Sequence, residues 1–189
     1  MAEAVPAFLT EKDYLRHEDR SEIKHEYLGG VVHAMSGGTN QHALVSGNVY
    51  GALYSQLRGK PCFPINSDVK IRIRYADHTR FYYPDAGVVC ESNPPTDHYQ
   101  DKPVILIEVL SPSSQRTDMT EKRDAYLTIP TLAAYLIIDP DQPQITVHRN
   151  PPGGISSKAY DELSDTIRLE EIGGELCLAE VYERVTFED

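Results

Sequence analysis

"PVILIEVLSPSS", Pro103 to Ser114, is the most apolar stretch of the chain, and a glutamate stands in its middle. Val104, Leu106 and Leu110 alternate onto the face of Glu108; Ile105, Ile107 and Val109 form the other face. A strand apolar on both faces belongs in the centre of a covered sheet. An isolated ionised carboxylate there is strongly disfavoured. Glu108 must take up a proton, pair with an arginine or lysine, or bind a metal ion.

Upstream, "YYPDAGVVC" (Tyr82–Cys90) reads as another buried strand. Asp85 alone would be a turn or strand-end residue. Together with Glu108, one loop away, it reads differently: adjacent strands bring both carboxylates to one point. Two or three carboxylates plus water form the usual hard-oxygen site for Mg²⁺. Downstream, a helix is expected from about Thr117 to Leu127, with Pro130 as its stop. Asp118, Lys122 and Tyr126 fall on one face of it. They are either a solvated Asp–Lys pair beside a core tyrosine, or a group that points Lys122 at the carboxylates. In the second case Lys122 orients or deprotonates a water and offsets transition-state charge.

The flanking elements follow from pattern. Thr10 caps a short helix reaching His17, with Asp13 in a capping-box position. "HEYLGGVVHAM" (His25–Met35) reads as a strand or hairpin turning at Gly29-Gly30. Asn40 to Arg58 is the best helix, ended by Gly59; Gly47 and Gly51 are read as sites of close packing. "DVKIRIRY" (Asp68–Tyr75) alternates strictly, so Lys70, Arg72 and Arg74 share a face. That face is either the charged guard of an edge strand or a ridge with roughly 7 Å steps that meets DNA phosphates. "AAYLIIDP" and "QITVHR" form a further hairpin. The order of elements predicts one domain over residues 1–189, with a mixed α/β sheet flanked by helices.

The combination "YYPDAGVV", "VILIEVLSPSS", "TDMTEKRDAYL" and "AAYLIIDP" resembles the PD-(D/E)XK nuclease superfamily, and more closely its small Uma-type restriction endonuclease family. The resemblance runs over most of the chain. It implies a restriction-endonuclease-like core with additional β-hairpins. It also implies an Mg²⁺- or Mn²⁺-dependent endonuclease acting on DNA, with Asp85 and Glu108 as metal ligands and catalytic residues. Glu26 of "HEYLGG" matches an acidic residue that completes the metal site; read by itself it is a surface carboxylate. The superfamily's lysine, two residues after the acid, is replaced by Leu110. In this branch a helix-borne lysine substitutes, and Lys122 matches it. His42 matches a histidine at the start of the long helix, either structural or facing substrate. Asp68 matches the "SDV" strand, where it caps or packs. The glutamate often found before the last core strand is Ala134 here. A homodimer or higher homo-oligomer is implied as well.

Composition sets further bounds. Among 189 residues the net charge is −11, which argues against broad nonspecific binding to nucleic acid. The charge is concentrated: Asp161 to Asp189 carries −8, and Lys60 to Arg80 carries +3. This acidic end favours the alternative of a non-catalytic interaction module on a nuclease fold. No apolar run suits a membrane span, and "MAEAVPAFLTEKDYL" has no secretory pattern, so the cytoplasm is the expected compartment. Cys62, Cys90 and Cys177 are odd in number and widely spaced, so neither a disulfide framework nor a zinc ribbon is expected, and Cys90 reads as a reduced, buried small hydrophobe. Walker, dinucleotide and GxSxG motifs are absent.

Overall fold

The computed structural model describes residues 8–112, 114–151 and 153–187. The leader reading of the first residues, Ser113 of "LSPSS" and the last two acidic residues lie outside this range.

Helix α1 (Glu11–Glu18) starts where Thr10 accepts a hydrogen bond from the Asp13 backbone. Strands β1 (His25–Leu28) and β2 (Val31–Ala34) form the expected hairpin. Gly29 and Gly30 take φ of 58° and 115° in its turn, backbone that L side chains resist. Helix α2 (Asn40–Leu57) is capped by Thr39 and buries Val45, Val49, Leu53 and Leu57. Its glycines do not serve close packing, because a Cβ at Gly47 or Gly51 would meet nothing within 4 Å.

Strands β3 (Phe63–Asn66), β4 (Lys70–Arg74), β5 (Thr79–Tyr82), β6 (Ala86–Val89), β7 (Tyr99–Gln100) and β8 (Pro103–Val109) follow. "YYPDAGVVC" is two strands. The chain leaves β5 at Tyr82, passes through Tyr83-Pro84-Asp85, and enters a different sheet at β6. Beyond β8 come α3 (Gln115–Thr117), a π-helical stretch (Asp118–Lys122) and α4 (Arg123–Tyr126), in place of one uniform helix. Strands β9 (Ala134–Asp139), β10 (Gln144–Arg149), β11 (Ser156–Tyr160), β12 (Thr166–Leu169) and β13 (Gly174–Cys177) precede the short α5 (Leu178–Val181).

Two larger sheets result, ordered β2-β1-β5-β4-β7 and β11-β10-β9-β8-β6-β3, with β12-β13 as a separate pair. β8 sits centrally, antiparallel to β6 and parallel to β9. Ile105, Ile107 and Val109 pack beneath α2; Leu106 and Leu110 face Tyr126 and Tyr135 and the five-stranded sheet's Ile71, Ile73 and Tyr82. Burying a side chain of this size contributes about 1.5–3 kcal/mol. The expected mixed α/β architecture with flanking helices is the observed one.

Two sequence readings need correction. Cys62 and Cys90 are joined in a disulfide. The Phe63–Val89 pair is the last of the β3–β6 ladder, and the two cysteines stand just beyond it. Cys177 is free. The uniform charged face of Lys70, Arg72 and Arg74 is not formed either. β4 is an inner strand between β5 and β7, not an edge strand. Lys70 is buried, with Nζ 3.2 Å from the Tyr83 hydroxyl. Arg72 donates two hydrogen bonds of 2.7 Å to Asp101 and stacks on Tyr99. Only Arg74 of the three is exposed, so a phosphate-contacting ridge has no geometry here.

Candidate active site

Glu108 sits near the C-terminal end of β8 on the face that meets Tyr126. The register places its partner: Ala86 pairs with Ile107, so Asp85 stands opposite Glu108 one step further on. Residues opposed across an antiparallel pair project from the same face. The Val109 backbone N–H donates to Asp85 Oδ2 at 2.7 Å, and His42 Nε2 lies 3.2 Å from the same oxygen. His42 is placed by the first turn of α2. The Gly38 backbone lies so close to its ring that a Cβ there would fall 2.6 Å from His42 Nδ1.

Lys122 enters from the π-helical stretch. Its Nζ lies 2.9 Å from Glu26 Oε1, 3.2 Å from Glu108 Oε1 and 3.2 Å from Asp118 Oδ1. The Tyr126 hydroxyl donates to Glu108 Oε1 at 3.0 Å. The Tyr135 hydroxyl donates to the Asp118 carbonyl at 3.0 Å and ties the π stretch to β9. π-Helical turns inside helices recur at functional sites; this one carries both Asp118 and Lys122.

Glu26, Asp85, Glu108, Lys122 and His42 all line a cavity of about 340 Å³, whose rim includes Ser114, Thr117 and Glu121. The structure therefore brings together the four residues expected at the site. It leaves Lys70 and Arg72 outside. Asp68 also lies outside, paired with Lys24 at 2.7 Å. Sequence reasoning placed Asp118 and Tyr126 on the right helix face but not in contact with Glu108's surroundings. It had no signal for Tyr135 or for Glu121, which accepts from Arg80 and Tyr82 at the rim.

The charges do not balance. Three carboxylates, those of Glu26, Glu108 and Asp118, surround one ammonium, and Asp85 adds a fourth beside His42. Burial by itself would strip the proton from Lys122, but Glu108, Glu26 and Asp118 overcome it and hold the pKa well above the usual lysine value. Burial pushes the Glu108 pKa well above the ordinary carboxylate range; Lys122 opposes this, while Asp118, Asp85 and Glu26 reinforce it. The two shifts pull the Lys122–Glu108 pair in opposite senses, since one favours the charged ammonium and the other the neutral acid. The ammonium is the firmer assignment, because three carboxylates share it. The tendency of Glu108 toward neutrality then reports its burial first and the surplus negative charge second. His42 is also raised, chiefly by its hydrogen bond to Asp85 and against burial.

Glu26 Oε1 and Asp118 Oδ1 are the buried side-chain oxygens with no hydrogen bond among the described residues, although both lie within ion-pair distance of Lys122. Within the same residues, no three His, Cys, Asp or Glu side chains close into a metal cage. An open set of carboxylate oxygens with surplus negative charge still fits Mg²⁺. That ion keeps several waters and commonly binds through one or two carboxylates plus substrate phosphates.

The model of the family Uma2, described as "Putative restriction endonuclease", matches residues 11–179. The chain belongs to the Uma2 family. Two relatives from Synechocystis sp. (strain ATCC 27184 / PCC 6803 / Kazusa) are similar to it. "Uncharacterized protein slr1290" is 31% identical over 184 residues, which is 95% of this chain and 94% of the relative. "Uncharacterized protein sll1609" is 30% identical over 142 residues, 74% of this chain and 79% of the relative. The crystal structure of a "putative nuclease belonging to DUF820" from Anabaena variabilis ATCC 29413 superposes with a TM-score of 0.74 at 18% identity. That match covers 94% of this chain and 99% of the other, and it shows a shared fold. Uma2 membership, with the restriction-endonuclease-like fold, supports a nuclease-like function. Among the described residues no helix is long and apolar enough to cross a membrane.

Proposed function

We propose that this Uma2 chain is a metal-dependent endonuclease that hydrolyses phosphodiester bonds in DNA. The observation that carries the reading is the meeting of Glu26, Asp85, Glu108 and Lys122 on the wall of one cavity, with Lys122 within 3.2 Å of two of those carboxylates. Asp85 and Glu108, with Glu26, would hold Mg²⁺ or Mn²⁺. When bound, such an ion polarises a phosphoryl oxygen and lowers the pKa of attacking water.

The chain's own groups have separable tasks. Asp85 Oδ2 is fixed by the Val109 N–H and His42, which orients the carboxylate. Tyr126 does the same for Glu108. Glu108, Glu26 and Asp118 favour the ammonium form of Lys122, which gives the site a positive charge and a hydrogen-bond donor. A fixed ammonium in a water-poor site stabilises charge that develops on a phosphoryl group at no reorganisation cost. The lysine that Leu110 displaces from the strand is thus supplied by the π stretch of the next helix.

The test is incubation of purified protein with supercoiled, linear and single-stranded DNA, with Mg²⁺, Mn²⁺ or EDTA. Cleavage that needs the ion and falls to background in Asp85→Asn and Glu108→Gln is expected. Absence of cleavage of every DNA form, together with no Mn²⁺-dependent rise in thermal stability, would overturn the reading. It would leave a non-catalytic module on the nuclease fold, since an ion bound only by the folded state must stabilise it.

A further inference from the structure

A second buried network lies behind the cavity wall. Glu18, the last residue of α1, does not line the cavity, and its side chain is only 3% exposed. Its Oε1 accepts from the His25 backbone N–H and from the Tyr83 hydroxyl, both at 2.8 Å. Its Oε2 lies 3.0 Å from His25 Nδ1. His25 immediately precedes Glu26, and Tyr83 is joined to Asp85 through Pro84 alone. A single carboxylate therefore ties together the two chain segments that carry Glu26 and Asp85.

The surroundings reinforce that tie. Tyr14, one helical turn before Glu18, donates to the His25 carbonyl at 2.6 Å, so α1 holds both backbone groups of His25. Lys70 Nζ lies 3.2 Å from the Tyr83 hydroxyl and 5.2 Å from the ring centroid. Lys24 covers the same ring at 5.6 Å. Burial drives the Lys70 pKa down, and Glu18 with Asp19 pushes back. The buried lysine that sequence alternation assigned to an outer face is held by the Tyr83 hydroxyl, the same group that Glu18 accepts from.

We propose that Glu18 is a positioning residue for the metal site: it sets the separation of Glu26 and Asp85 from the side opposite the ion. The inference rests on the reading that these two carboxylates help hold the cation. Buried charge–hydrogen-bond networks are commonly neutral or unfavourable for stability relative to apolar packing. What this one provides is placement, because His25 and Tyr83 accept no freedom to drift. Partners bonded directly to metal ligands typically govern affinity by 10–100-fold; Glu18 acts one residue further out, through His25 and Tyr83, so about tenfold is expected.

The experiment is Mn²⁺ titration followed by electron paramagnetic resonance and calorimetry on the full chain, well below each variant's Tm. Parent, Glu18→Gln, Tyr83→Phe and Tyr182→Phe are compared. Glu18→Gln removes the carboxylate charge and sets an amide nitrogen where Oε2 meets His25 Nδ1, so it should bind Mn²⁺ about tenfold more weakly. Tyr83→Phe severs the Asp85 arm and the Lys70 bond to the same hydroxyl but keeps both His25 contacts of Glu18, and it should fall between Glu18→Gln and the parent. It carries the test if Glu18→Gln does not fold. Tyr182 bonds Asp139 and Gln144, and none of the three lines the cavity, so Tyr182→Phe should lower Tm and leave Mn²⁺ affinity unchanged. A parent that binds Mn²⁺ while both Glu18→Gln and Tyr83→Phe bind it within twofold of the parent overturns this inference and leaves the metal reading standing. A parent that binds no Mn²⁺ overturns both.

Discussion

Replacing Lys122 with methionine keeps most of the buried stem and removes the charge. The geometry fixes what is lost. Nζ meets carboxylate oxygens at 2.9, 3.2 and 3.2 Å. At an effective dielectric near 20, each such contact is worth about 5–6 kcal/mol of Coulomb attraction. Desolvation of the ammonium takes back several kcal/mol, and the orphaned carboxylates relax by taking up protons or water. Removal of one partner from a buried ionic group accordingly nets about 3–5 kcal/mol of lost stability. For a chain of this size that corresponds to a fall in Tm of roughly 6–20 °C. Urea unfolding followed by circular dichroism at pH 7 in EDTA measures it, and Mn²⁺ should recover part of the loss by replacing the missing positive charge. A loss below about 1 kcal/mol would refute the reasoning. It would mean that the carboxylates are already neutral or hydrated in the parent, and that Lys122 does not compensate them.

Other consequences can be checked separately. Asp101 accepts two hydrogen bonds from Arg72, and although burial opposes ionisation, Arg72 and Asn93 hold its pKa below the usual aspartate value. A carboxylate with a depressed folded pKa adds stability that is present above its unfolded pKa, about 3.9, and lost as pH falls through the folded value. Asp101→Asn should therefore cost about 1–3 kcal/mol at pH 7, with the deficit shrinking as both proteins are unfolded by urea at pH 4 and then pH 3. Constant deficit across that window would separate Asp101 from the pair. The Cys62–Cys90 bond closes a loop of 28 residues, so its reduction should lower stability by roughly 3–4 kcal/mol. Thiol titration of the unfolded, unreduced chain should find Cys177 alone reactive.

The sequence made the fold and part of the site legible because both rest on local signals. Apolarity on both faces of Pro103–Val109 identified a central strand, and the Gly29-Gly30 pair marked a turn. The helical spacing of Asp118, Lys122 and Tyr126 put the lysine on the correct side. Proximity across strands was less accessible. Nothing in the spacing of Cys62 and Cys90 says that they face each other beyond the Phe63–Val89 pair. Lys70 and Arg72 have the alternation of an exposed face. Their buried polar ends are met by Tyr83 and Asp101, which come from other parts of the chain. Pattern reading assigns a side chain to a face; it does not say what covers that face. The π stretch was also beyond reach, because Tyr135 holds it through a tertiary hydrogen bond.

The burial of so many charges around one cavity is the feature that stability explains least. An apolar replacement of Glu108, Lys122, Glu26 and Asp118 with similar volume would be neutral or favourable for folding. The surplus carboxylates make the cluster costlier still, and burial, reinforced by them, leans Glu108 toward its neutral form. Glu18 and Lys70 repeat the pattern immediately behind it. Two adjoining buried ionic networks, one opening to the cavity and one bracing its wall, are poorly suited to be a core. They are well suited to hold carboxylate oxygens at fixed positions, where, on the proposed reading, a divalent cation would balance the surplus negative charge. On that view the missing strand lysine at Leu110 is a relocation. The apolar strand keeps its packing, while the charge comes from a helical segment that Tyr135 and Asp118 already hold in place.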